Sequence, residues 1–374
     1  MSLKPGLALA MIVRNDAARI ERCLKSVADV VDAMVVVDTG STDGTQELAR
    51  RFGATVVEKE WPNDFAKALN WAYELVEHEW TLRLDSDEWL LPSYKPVLHE
   101  TLKRADVFAV TIIREDYVAD GRFTETQALR LWRTDPAMRM VGLVHEQFSH
   151  DSLEKTSRGR AVLNSQIRLG HDGYTEEAMP AKHRRNLALV EEELMIRPGN
   201  KYYESERVRI LYLLNDPRAE EANDQLIDDL LAMKDRDTPP SAMVTGPLTL
   251  TLDRMPDSKL ADLRTTDILM LARGWCSTDP AVTYAAAKTF IRRKDLRSAM
   301  DALLDLEYMS TSGDYQRSGF NHPSMLQEAL WQNLALVAHQ LGKKDVAARN
   351  YERLLKFDPN HAVAKQNLAL LLRS

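Results

Sequence analysis

The chain has 374 residues, with 56 acidic against 49 basic side chains and a formal net charge of -7 at pH 7. That length accommodates two domains with separate cores, and the acidic balance argues against nucleic acid as the main partner. Cys23 and Cys276 are too far apart in sequence to suggest a disulfide framework or a clustered metal site, which points to a reducing compartment.

The opening residues Met1-Ser-Leu-Lys-Pro-Gly6 lead straight into a strand-like run, without the apolar core and cleavage site of a signal peptide. No apolar stretch reaches membrane-spanning length, so the expectation is a cytoplasmic protein without a transmembrane segment. Residues 7–13 are a continuous apolar run of strand length, followed by Arg14-Asn15-Asp16 and then Ile20, Cys23, Leu24 and Val27 at helical spacing. A second run over 33–37 passes into Asp38-Thr-Gly-Ser-Thr-Asp-Gly-Thr45, after which Leu48, Ala49 and Phe52 mark another helix face. Residues 55–58 suit a third strand, 64–76 a helix with Phe65, Leu69, Ala72 and Val76 inward, and 80–84 a fourth strand. The βαβ alternation implies a parallel sheet.

The fourth strand runs into Asp85-Ser-Asp-Glu88, so carboxylates emerge at its tip. Read as an extended segment, Asp85 and Asp87 share a face and offer two hard oxygen ligands for Mg²⁺ or Mn²⁺ against a diphosphate; a solvated turn has the same composition. The Asp38 loop also lies past a strand end, and open parallel sheets collect ligands in the crevice outside those ends. Gly40 and Gly44 allow tight turns there, and Asp38 can accept hydrogen bonds from a base or ribose, while Asp43 is expected to cap the following helix. Neither a P-loop lysine nor dinucleotide-fold glycine spacing is present, which favours a mononucleotide.

Ala10-Met-Ile-Val-Arg-Asn-Asp16, Val35-Val-Val-Asp-Thr-Gly-Ser-Thr-Asp-Gly-Thr45, Asp64-Phe-Ala-Lys-Ala-Leu-Asn70 and Leu84-Asp-Ser-Asp-Glu88 resemble, in this order, the family-two inverting glycosyltransferases of GT-A fold. The resemblance implies a nucleotide-sugar donor, with Asp38 at the nucleobase, Arg14, Asn15, Asn70 and Lys67 beside the nucleotide, and Asp85 and Asp87 at the ribose-diphosphate and metal. One departure is Leu69, where relatives carry an arginine before the asparagine; its contribution must come from Lys67 or Arg83, or be absent. Residues 93–103 suit a short helix, with strands over 107–114 and 128–133. Arg130-Leu-Trp-Arg133, Gly142-Leu-Val-His-Glu-Gln147, Ile167-Arg-Leu-Gly-His-Asp-Gly-Tyr174 and Lys182-His-Arg-Arg-Asn186 resemble the acceptor half of such a domain, in a branch that includes bacterial core-oligosaccharide enzymes and peptide glycosyltransferases.

On a strand, His145 and Glu146 point to opposite faces, and Glu146 is the candidate catalytic base; a structural bond to a loop backbone is its other reading. His171, read in a loop between Gly170 and Gly173, is the candidate third metal ligand beside Asp87 and Asp85, or a surface histidine. Arg130, Arg133 and Lys182 are candidates for neutralising phosphate or holding an acidic acceptor, or are surface ion-pair partners.

From Met179 onward helical spacing takes over, and the division is placed at 1–195 for the α/β GT-A domain and 196–374 for an all-α, tetratricopeptide-like repeat domain. Trp331, Leu334, Ala335, Gly342, Ala347, Tyr351, Leu355 and Pro359 fit one repeat; Ala286, Ala287, Phe290, Leu296, Ala299 and Leu303 give an earlier, weaker copy, separated by a polar insertion over 308–321. Residues 203–214 and 220–233 form a further pair, 360–372 a terminal helix, and the Pro- and Thr-rich 238–255 a loop. Repeat arrays bind peptides, self-associate or only stabilise, so an acceptor peptide or protein, a homodimer and a purely structural extension all stand open.

The expectation is a metal-dependent glycosyltransferase using Mn²⁺ or Mg²⁺ to move a sugar from a UDP-sugar to a hydroxyl or thiol on a glycan, lipid-linked, peptide or protein acceptor. The alternatives are an inactive glycosyltransferase-like scaffold whose repeats bind a protein, and a nucleotidyltransferase; the intact Asp-x-Asp and the absence of a basic phosphate loop argue against them respectively.

Overall fold

The computed structural model describes residues 3–117, 123–173, 179–317 and 323–372. It divides into two compact units, Met1–Ile196 and Arg197–Ser374. In the first, β1 (Lys4–Val13), α1 (Ala17–Val27), β2 (Ala33–Asp38), α2 (Thr45–Arg51), β3 (Thr55–Glu58), α3 (Phe65–Glu74) and β4 (His78–Arg83) alternate. Then follow β5 (Glu88–Leu90), α4 (Lys95–Leu102), β6 (Val107–Tyr117), β7 (Phe123–Arg133), β8 (Met140–Val141), β9 (Gln147–Phe148), α5 (His150–Ser157), β10 (Ala161–His171) and α6 (Met179–Ile196).

The eight-stranded sheet has the order β3-β2-β1-β4-β7-β6-β10-β5. Strands β3, β2, β1 and β4 are parallel, with Val13 opposite Asp38 and Ala10 opposite Arg83. Strand β1 is central and buried on both faces, which explains its unbroken apolar run. Leu7, Leu9 and Met11 pack on Ile20, Cys23, Leu24 and Val27 of α1, whereas Ala8 and Ala10 face Ala66, Leu69 and Ala72 of α3. The small alanines let α3 approach the sheet closely. Chain order reverses beside β1, so the loops after β1, β2 and β4 meet at one crevice.

The second unit comprises α7 (Lys201–Leu213), α8 (Ala219–Ala232), α9 (Thr245–Arg254), α10 (Leu263–Trp275), α11 (Pro280–Arg292), α12 (Leu296–Ser312), α13 (Glu328–Gln340), α14 (Lys344–Phe357) and α15 (Ala362–Leu371). Ala287, Ala299 and Leu303 of the α11–α12 pair share one core with Leu334, Ala335, Ala347 and Tyr351 of the α13–α14 pair. Gly342, at φ 70°, makes the turn between α13 and α14 in a conformation that costs a glycine little.

One expectation fails here and another is shifted. Residues 238–255 are not a loop: α9 occupies Thr245–Arg254 and buries Thr245, Gly246, Pro247, Leu248, Thr251 and Leu252. Pro247 is third in the helix, where its missing N–H would have no partner, and burial overrides the poor propensity of Gly and Thr. The polar stretch 308–321 starts inside α12, and its residues 318–321 lie outside the described residues. Among the described residues no helix is long and apolar enough to cross a membrane, and Cys23 and Cys276 are buried free thiols.

Candidate active site

The rim of the crevice is built from two loops stapled together. Asn15 adopts φ 55°, a left-handed conformation that asparagine tolerates, and its side chain accepts from the Thr42 amide at 2.8 Å. In return Ser41 Oγ accepts from the Asn15 amide at 2.8 Å and Thr45 Oγ1 from the Asp16 amide at 2.9 Å. Asp43 accepts from the first amides of both helices, Thr45 N at 3.1 Å and Ala17 N at 3.0 Å, as its capping reading requires. Asn15 is therefore a rim staple, and Arg14 beside it is exposed.

Asp38 closes β2 and is fully buried. Its Oδ1 accepts from the amides of Gly40 and Ser41 at 3.0 and 2.9 Å and from Gln46 Nε2 at 3.0 Å. Its Oδ2 is buried without a hydrogen-bond partner. An unsatisfied buried acceptor costs about 1–3 kcal/mol, and a ligand N–H or O–H arriving there would recover it.

Asn70 and Lys67 are placed differently from the donor role read for them. The Asn70 amide is spent on Met140, donating to its carbonyl at 3.0 Å and accepting from its N–H at 2.9 Å, so it ties α3 to β8. Lys67 is exposed, 5.9 Å from the centre of the Trp71 ring. Leu69 is part of the core against the sheet, so no polar group stands where relatives place the arginine.

Strand β4 ends at Arg83, and Asp85–Glu88 form a turn closed by the Glu88 amide donating to the Asp85 carbonyl at 2.9 Å. Asp85 and Asp87 thus do not share the face of an extended segment, because the chain reverses to enter β5, a strand hidden in sequence by its acidic start. Glu88 is fully buried. Its carboxylate takes Arg130 Nη2 at 2.6 Å and the Asp85 amide at 3.0 Å, which braces the turn from inside. Asp85 is gripped by Arg83 at 3.3 Å and Arg130 at 3.2 Å. Burial alone would push its carboxyl up, but the two guanidiniums outweigh burial and hold it well below the usual carboxylate range. Arg130 is internal to this network. Arg133 stands opposite Trp80 near the start of β4, far along the strand from the crevice, and donates to the carbonyls of Val107 and Arg104.

Asp87 faces His171, whose Nε2 lies 3.5 Å from Asp87 Oδ2. His171 ends β10 and is not in a loop; register sets it opposite Asp116 of β6, and its Nδ1 meets Asp116 Oδ1 at 2.6 Å. Burial opposes a charged imidazole there, yet the Asp116 and Asp87 carboxylates outweigh it and raise His171 to about 9. Gly173 completes the cradle: a Cβ there would lie 2.1 Å from Asp87 Oδ2 and 2.6 Å from His171 Nε2. A carboxylate oxygen and an imidazole backed by a second carboxylate suit Mn²⁺ or Mg²⁺ completed by phosphate oxygens. Among the described residues no three acidic, histidine or cysteine side chains form a metal-sized cluster, so Asp85 does not join Asp87 and His171 as a preformed third ligand. Lys182, on α6, feels the charges of Asp87 and Asp85. Tyr174, at the end of the same motif, lies outside the described residues.

Glu146 lies on the irregular connection between β8 and β9, after His145 at φ 52°, and not on a strand. Its Oε1 sits 2.5 Å from Arg83 Nη2 in a largely buried ion pair. Arg114 and Asp116, which complete the network at 2.7 Å, escaped the sequence reading; their only signal is the charged Arg-Glu-Asp end of an otherwise apolar strand.

Residues 9–155 match the protein-family model for Glycosyl transferase family 2. Over 140 residues, 37% of this chain and 34% of the relative, the chain is 37% identical to a TPR repeat-containing protein of Synechococcus elongatus. Over 232 residues, 59% of this chain, it is 28% identical to the SPbeta prophage-derived glycosyltransferase SunS of Bacillus subtilis, of which it covers 52%. The matches thus span about a third and about half of these curated relatives. Among solved structures, S. aureus TarS 1-349 aligns over 83% of this chain and 93% of that one at 13% identity, with a TM-score of 0.35. The matched residues 9–155 lie within the N-terminal unit, whose sheet is mostly parallel, as the GT-A resemblance implies.

Proposed function

We propose that the protein is a metal-dependent inverting glycosyltransferase that moves a sugar from a UDP-sugar to a hydroxyl or thiol of a glycan, lipid-linked, peptide or protein acceptor. The observation that supports this reading is that Asp38 ends β2 and Asp87 follows the end of β4, with only β1 between those strands. That spacing gives one crevice a base-binding end and a phosphate-binding end. At the first end the unpartnered Oδ2 of Asp38 accepts a hydrogen from the nucleobase. At the second, Asp87 and His171 would hold Mn²⁺ or Mg²⁺, which supplies positive charge to the departing diphosphate.

In the transfer, the acceptor oxygen or sulfur attacks the anomeric carbon, its proton passes to Glu146, and the bond from that carbon to the diphosphate breaks. UDP leaves with the bonding pair. A single displacement inverts the anomeric configuration. General-base assistance of this kind contributes about 10²–10⁴-fold. For the helical unit, the repeat-like pairs support acceptor-protein binding or self-association, which sedimentation of the full chain with and without an acceptor separates. We place the protein in a reducing compartment, consistent with its two free thiols.

Glu146→Gln tests the chemistry. Hydrolysis of UDP-glucose or UDP-N-acetylglucosamine should fall at least about a hundredfold while UDP binding is kept. Loss of UDP binding in this variant would instead assign Glu146 to structure.

A further inference from the structure

We propose that Arg83 is a positioning residue that fixes Glu146 relative to the donor-side carboxylate Asp85. The inference rests on the glycosyltransferase reading and adds a role for a residue which that reading leaves unassigned. One atom carries it. Arg83 Nη2 meets Glu146 Oε1 at 2.5 Å and Asp85 Oδ1 at 3.3 Å, so a single guanidinium nitrogen spans the acceptor and donor sides.

The surroundings explain why such a bridge is needed. Glu146 comes from an irregular connection, so no ladder of backbone hydrogen bonds fixes its direction. Arg83, by contrast, is the last residue of β4, and its backbone is held opposite Ala10 of the central strand. A planar guanidinium on a strand end transmits that rigidity to the carboxylate it contacts. Lys67, the other basic candidate for the missing arginine, is exposed beside Trp71 and makes no such bridge. Asp85 keeps Arg130 at 3.2 Å on its other oxygen, so donor-side geometry survives removal of Arg83 whereas the orientation of Glu146 does not.

The expected signature is a split between turnover and donor affinity. The experiment uses the full chain with Mn²⁺, reading hydrolysis of UDP-glucose and UDP-N-acetylglucosamine and the melting shift given by UDP. The variants are Arg83→Gln, Arg83→Lys, Glu146→Gln and the double Arg83→Gln/Glu146→Gln. Arg83→Gln should lower kcat about tenfold or more, with donor KM and the UDP shift within about twofold of wild type. Arg83→Lys should recover part of the loss, because a point charge can hold one carboxylate but not bridge two. The double variant should be no slower than Glu146→Gln alone, as two residues acting through one step require.

Unchanged kcat in Arg83→Gln, or losses that multiply in the double variant, would overturn the proposal while leaving the enzyme reading intact. Loss of the UDP shift in Arg83→Gln would overturn it too, assigning Arg83 to donor binding. So would a failure of both Arg83 variants to melt cooperatively, which makes the residue structural. A wild-type chain that neither binds UDP nor hydrolyses either sugar nucleotide removes the glycosyltransferase reading itself, and this proposal with it.

Discussion

Gly173 has no side chain because Asp87 and His171 occupy the space one would need. A methyl group 2.1 Å from the Asp87 oxygen must displace it. Gly173→Ala should therefore abolish the metal-dependent part of UDP stabilisation in a melting assay, while the melting temperature without nucleotide stays near that of wild type. At the other end of the crevice, Asp38→Asn keeps shape and burial but can turn an N–H donor toward the ligand. It should weaken UDP binding about tenfold or more by calorimetry, since a donor then faces the donor of the base. Asp38, Asp87 and His171 were singled out in the sequence because they belong to an ordered set of motifs that resembles a known family. Asp116 was not: what makes it matter is β6–β10 register, which sets it opposite His171 some fifty residues away. The family resemblance likewise put Asn70 beside the nucleotide, whereas its amide is consumed by the backbone of Met140.

At the level of elements, the Asn70 bonds make a prediction about stability. Asn70→Ala removes both hydrogen bonds to Met140 and should cost about 2 kcal/mol in urea unfolding, with UDP affinity little changed. Continuous apolar runs such as 7–13 and 33–37 read correctly as strands because both faces of the parallel sheet are covered, leaving no polar alternation to confuse them. Among the elements that escaped, β5 and α9 did so for opposite reasons. Strand β5 is three residues long and starts with a buried glutamate whose charge is offset by Arg130, a pairing invisible without the fold. Helix α9 opens with Thr-Gly-Pro and carries two further threonines, all poor helix formers, and is held by burial against its neighbours, so tertiary packing decided against local propensity.

Across the molecule, helical spacing takes over from Met179, but the helix it opens, α6, belongs to the first unit, and the structure divides only after Ile196. The family model matches residues 9–155, all within the first unit, and none of it covers the helices of the second. What underlies the chemistry proposed for the first unit is that Asp38 and Asp87 come together at the carboxyl ends of β2 and β4, on either side of β1. The most direct test measures both at once, as the melting temperature of the full chain with UDP, with Mn²⁺, and with the two together, for wild type and Asp87→Ala. The account predicts stabilisation of the wild type that needs both UDP and Mn²⁺, rising with UDP concentration, and its disappearance in Asp87→Ala. Equal stabilisation of the two chains, or none of the wild type by UDP and Mn²⁺ together, would contradict it.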